Sequence, residues 1–260
     1  MGHSTGLTAE GIGNGTRNRL EDDMEFRVAT RLDDVVAAWR LVYDAYAGSG
    51  LIDPNPWQIH TVPKAIHHNN VVICAGSEEE AVSTLTIIHD SEGIPLDDIY
   101  PDELDGLRDR GRSLMEIGLL ADRREQVSRS LPALLEMMRY VFYRSRFTDS
   151  DIMIGVHPHH GRYYRKYFGF EDHGPTSTHP TVNHNPVVLM RLDLNEKLKL
   201  DPLPRGLAMY VANPLPSDTF DQKFAFHPER VEKSPIGLYL RNAQVPAMAT
   251  AETEVNGEAA

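Results

Sequence analysis

A single cysteine, Cys74, stands in a chain of 260 residues. One thiol excludes an intrachain disulfide framework and a Cys-rich zinc site, and it points to a cytoplasmic setting. No apolar run approaches the roughly 18 residues that a membrane span needs. Positive charge is in deficit: 26 Lys and Arg face 38 Asp and Glu, a formal net charge of −12. Nucleic-acid binders show a basic footprint, so that class of partner is disfavoured. Met1 to Thr16 lacks the apolar stretch of a secretion signal, and Gly6 stands where a myristoylation pattern requires Ser or Thr.

What is present is ordinary globular composition, with 41% hydrophobic and 25% charged residues. Residues 1–24 read as a flexible leader. Residues 25–194 carry the periodic segments of one α/β domain. Residues 195–242 are Pro-rich with little periodicity and read as an extended, partly ordered C-terminal arm; 243–260 read as a disordered tail. Within the domain, 25–29 alternates as a short strand. Asp33 or Asp34 then caps a helix with Val35, Val36, Trp39, Val42, Tyr43 and Tyr46 on one face. Val71–Ala75 and Ala81–His89 form a hairpin. Pro101 opens a helix that Gly111 closes, and Ser113–Leu120 is a strand. Ser130 caps the clearest helix, in which Leu131, Leu134, Leu135, Met138, Val141 and Phe142 follow the helical period. Ile152–Val156 is a strand, Gly161–Phe168 a basic aromatic helix, and Val187–Leu192 the last strand. This order predicts a mixed sheet with helices on both faces.

His67, His68, His157, His159 and His160 do not complete a zinc spacing, so no metal is expected. Cys74, inside an apolar strand, reads as packing. Glu116 is the one carboxylate in Ser113–Leu120 and has apolar neighbours. It is either a surface or salt-bridged strand residue, or a carboxyl whose pKa burial would raise.

The element order, with Tyr163-Tyr164-Arg165-Lys166-Tyr167-Phe168-Gly169-Phe170 closing its last core helix, resembles the GNAT superfamily of N-acyltransferases. Two further stretches resemble the long-chain N-acyl amino acid synthases, relatives of the acyl-homoserine lactone synthases. One runs from Gly93-Ile94-Pro95 through Tyr100-Pro101-Asp102 to Leu114-Met115-Glu116-Ile117-Gly118-Leu119-Leu120. The other is His157-Pro158-His159-His160. The resemblance implies a GNAT-like fold and transfer of a fatty acyl group from acyl carrier protein to the amine of an amino acid. The donor is then acyl-phosphopantetheine, with no permanently bound cofactor. It also implies Glu116 as catalytic base and main-chain groups of Leu119 and Leu120 as partners of the pantetheine. Tyr164 is implied as general acid, although Arg165 holds the family's usual place and Tyr164 reads equally as a packing residue.

GNAT enzymes that use acyl-CoA carry a glycine-rich turn before the long helix, where main-chain N–H groups hold the pyrophosphate. Here that place reads Arg123-Arg124-Glu125-Gln126-Val127-Ser128-Arg129-Ser130, without glycine. This fits a carrier-protein donor. It fits equally a non-catalytic acyl-binding module on the same fold, and acyl-CoA remains the alternative donor. Residues 123–166 hold nine Arg or Lys and four acids. Arg123, Arg124 and Arg129 are therefore expected to meet an acidic carrier protein, unless they form a merely solvated face. Met138, Phe142 and Met153 are expected to line an acyl pocket, with core packing as the alternative.

Overall fold

In Val71–Gly76 successive residues enter opposite cores: Val71 and Ile73 one, Val72 and Cys74 the other. A period of two with both faces apolar makes a strand covered on both sides. The computed structural model describes residues 24–77, 80–124 and 127–243. It forms one sheet from β1 (Glu25–Val28), β2 (Val71–Gly76), β3 (Ala81–His89), β4 (Ser113–Asp122), β5 (Ser150–Val156), β6 (Glu171–His179) and β7 (Asn185–Leu192). Their spatial order is β1-β2-β3-β4-β5-β7-β6. Among the described strands only β4 and β5 pair in parallel. β6 is an addition to the expected elements. Its residues are polar and mostly exposed, so it lacks the apolar alternation by which a strand is recognised.

Helices α1 (Leu32–Gly48) and α2 (Pro101–Arg108) cover one face, and α3 (Val127–Thr148) and α4 (Pro158–Phe168) the other. Trp39 of α1 is fully buried, and its indole N–H donates to Thr86 Oγ1 at 3.2 Å. Asp34 does not precede α1 as a cap. It sits in the first turn and accepts from the Arg31 N–H at 3.3 Å. α3 begins at Val127, ahead of the expected Ser130, and carries Pro132 inside it.

The segment after the sheet is not an extended arm. It forms α5 (Leu194–Lys197), α6 (Arg205–Ala212), α7 (Pro228–Glu232) and α8 (Pro235–Ala243). Leu207 and Tyr210 join the core under α3 and α4, while Phe224, Phe226, Val231 and Ile236 join the core under α1. Phe226 stacks on Trp39 with centroids 6.0 Å apart. Pro228 and Pro235 open helices at first-turn positions, where a proline costs no hydrogen bond. The expected leader, except Met24, and the expected tail beyond Ala243 lie outside the described residues.

Candidate active site

β4 and β5 pair from Ser113↔Ser150 to Glu116↔Met153 and then part. β4 continues to Asp122, still paired to β3, and β5 continues to Val156, still paired to β7. Two local features turn β4 away. Its ladder with β3 shifts register between Thr84 and Thr86, and Leu119 takes a left-handed φ of 50° beside Gly118. The main-chain groups of β4 that face β5 beyond Glu116 therefore lack a strand partner.

A cleft of about 440 Å³ fills the opening. Glu116, Leu119 and Leu120 line it from β4, and Ile154, Gly155 and Val156 from β5. Leu134 and Met138 of α3 and His160 and Tyr164 of α4 form one wall. Tyr46 of α1, His60 and Leu96 form another, and His179, Thr181 and Asn185 lie at the β6–β7 end.

Glu116 is 5% exposed, and its Oε2 accepts the Leu96 N–H at 2.8 Å. The Leu96 side chain lies over Gly155, where an added Cβ would stand 2.7 Å from its Cδ2. Burial pushes the Glu116 pKa from 4.5 up to about 8; the Leu96 hydrogen bond opposes this and Asp97 adds to it. Burial also pushes the phenols of Tyr164 and Tyr46 to about 12, and Tyr46 feels the charges of both Tyr164 and Glu116. The cleft thus joins a carboxyl able to take a proton near neutral pH to two phenols that keep theirs.

Of the residues expected at the site, Glu116, Tyr164, Leu119, Leu120 and Met138 line this cleft. Phe142 and Met153 do not. Phe142 is buried in the core under α3 and Met153 in the core under α1, so both are packing residues. Arg123 and Arg124 are not among the lining residues either. Arg123 pairs with Glu80, and Arg124 with Asp122 at 2.6 Å. The Arg129 side chain lies outside what is described. Tyr46 and His60 were not expected. Tyr46 belongs to the apolar stripe of α1 and His60 to a loop without periodicity, so neither position carries a sequence signal.

A splayed parallel pair with a buried carboxyl at its apex and tyrosines across the gap is the frame of a GNAT-type N-acyltransferase. The family model of the N-acyl amino acid synthase FeeM matches residues 37–193, and the chain belongs to that family. Among solved structures, FeeM, an N-acyl amino acid synthase from uncultured soil microbes, is similar with a TM-score of 0.57 at 22% identity. The match covers 66% of this chain and 92% of that one. The CoA-dependent acyl-homoserine lactone synthase BjaI, solved with SAM and isopentyl-CoA, has a TM-score of 0.48 at 12% identity over 73% and 98% of the two chains. The synthase LasI has 0.48 at 14% over 65% and 87%. No curated protein matches.

Proposed function

We propose that this N-acyltransferase moves a long fatty acyl chain from acyl carrier protein to the amine of an amino acid, with Glu116 as the base. The observation that carries this reading is a buried, proton-accepting carboxyl where β4 leaves β5. The amine nitrogen attacks the thioester carbonyl, a C–N bond forms and the C–S bond breaks. The amine's proton passes to Glu116. Main-chain groups of Leu119 and Leu120, beyond the last β4–β5 pair, hold the pantetheine, and N–H groups of that stretch are the donors to the oxyanion. Leu134 and Met138 offer apolar surface to the acyl chain. Tyr164, protonated at any physiological pH, donates a hydrogen bond to the departing sulfur, and the proton that Glu116 has taken passes on through solvent to the thiolate.

A thiol leaving group has a pKa of about 8.5 and departs with little help. Tyr164→Phe should therefore lower kcat only about 10-fold, below the roughly 10² of a fully engaged general acid. Unchanged kcat in steady-state assays would remove Tyr164 from the chemistry.

The donor test compares kcat/KM for one acyl chain on acyl carrier protein and on CoA. Without glycines at 123–130 to admit a pyrophosphate, the carrier protein should be favoured by about 10-fold or more, the low end of electrostatic steering. Arg123 and Arg124 contribute to carrier binding only by exchanging Glu80 or Asp122 for a carrier carboxylate. Equal or better use of acyl-CoA would refute the donor assignment while leaving acyl transfer intact.

A further inference from the structure

Tyr239 lies on α8, outside the residues that match the family. Its hydroxyl stands 3.2 Å from Nδ1 of His60. Trp57 meets the Tyr239 ring edge-on at 6.3 Å, and Tyr46 packs against the His60 ring at 5.2 Å. His60 is 5% exposed and lines the cleft. Its Nδ1 is taken by Tyr239. Nε2 has no hydrogen-bond partner among the described residues, and it is the nitrogen left for a ligand.

The imidazole is neutral, because burial pushes its pKa down to about 4 and His179 adds to the shift. A neutral imidazole carries one N–H, and the neighbour of one nitrogen decides which. Burial raises the Tyr239 pKa, so its hydroxyl keeps its proton, and no described residue other than His60 accepts from it. With no other described acceptor for the phenol, the contact favours a phenol that donates to Nδ1, which would leave the ring proton on Nε2.

The cleft has no Lys or Arg among its described lining residues. An amino-acid acceptor brings a carboxylate, and with no Lys or Arg to meet it the site must rely on other donors; of the lining imidazoles of His60, His157, His160 and His179, only His60 is buried. We propose that Tyr239 holds His60 as the Nε2–H tautomer and that this N–H binds the acceptor's carboxylate. The inference rests on the reading of this cleft as the acyl-transfer site. His60 is then a specificity residue in contact with substrate, and Tyr239 a positioning residue. The C-terminal segment, through α8, becomes part of the acceptor site.

The test uses the full chain, a long-chain acyl carrier protein thioester, and the common L-amino acids, each beside the amine that lacks its carboxylate. The parent should prefer the amino acid. Tyr239→Phe removes one oxygen and keeps the ring packing. It should raise KM for the amino acid about two-fold, the cost of halving the Nε2–H population, with kcat and the KM for the simple amine nearly unchanged. His60→Ala should abolish the preference. Imidazole ¹⁵N shifts should show His60 protonated on Nε2 in the parent and mixed in Tyr239→Phe. A KM rise shared equally by the simple amine, or no rise at all, would overturn the proposal. The ¹⁵N spectrum needs no turnover, so Nδ1 protonation in the parent overturns it even if Tyr239→Phe folds poorly. A parent that acylates neither acceptor would instead refute the acyl-transfer reading, and the spectrum would still decide the tautomer.

Discussion

Glu116→Gln should lower kcat about 10²-fold or more when assayed above pH 8, the usual scale for one general base. The substitution preserves the geometry, since the Gln carbonyl can still accept the Leu96 N–H that now meets Oε2 at 2.8 Å. Only the basicity is lost. The pH profile is the sharper reading. With its pKa pushed to about 8, Glu116 is mostly protonated at pH 7 and ionises just above it. The parent's rate should therefore climb through pH 8 with an inflection that the variant lacks. A variant with parental rate and profile would remove Glu116 from the mechanism. Stability supplies an independent check. The folded chain holds a proton up to about pH 8 that the unfolded chain releases near 4.5. The parent is thus favoured fully below pH 4.5 and loses stability as pH rises towards 8, by up to about 1.4 kcal/mol per unit. Gln does not titrate, so the variant should gain on the parent between pH 5 and pH 9 in thermal melts. A constant difference across that range would mean that Glu116 titrates normally.

What was legible in the sequence follows the range of each interaction. Glu116 was visible as a lone carboxylate among apolar strand neighbours, because burial of a strand position is a local, period-two property. The hydrogen bond from Leu96, twenty positions earlier, was not, since it joins separate segments that only the fold brings together. The same limit explains the arginines. Arg123 reads as a free cation in a basic stretch, yet its neutralising partner Glu80 lies 43 residues away, across a turn of the sheet. Phe142 and Met153 share with Met138 an apolar, flexible or aromatic character, but only Met138 faces the opening. Which face of the sheet opens is decided where β4 leaves β5, and that is a matter of bulge and twist rather than composition. In the C-terminal segment the apolar residues are irregularly spaced and broken up by prolines. Phe226 still completes a core, because it meets Trp39, 187 positions away in sequence and adjacent in space.

Asp151→Ala should cost about 3–5 kcal/mol, the penalty for removing one partner of a buried ion pair. Asp151 is 1% exposed and sits on β5 beside Leu114 of β4. Arg112, just before β4, and Arg191, on β7, both bind it; Arg191 Nε donates at 2.8 Å and Arg112 Nε at 3.1 Å. Asp193 joins both arginines, at 3.1 and 2.9 Å. This network ties three strands together at the end of the β4–β5 pair opposite the cleft. The network holds shut the end of the parallel pair that lies away from the opening. Alanine would leave two guanidinium groups sharing Asp193 alone, with a cavity where the carboxylate stood. In a chain of this size the loss corresponds to a fall of roughly 10 °C in Tm. Asp151→Asn keeps one acceptor oxygen and the volume, so it should lose less than alanine does. Equal losses for the two variants would assign the effect to the charge, and a Tm within about 2 °C of the parent for Asp151→Ala would show that the network does not hold the closed end.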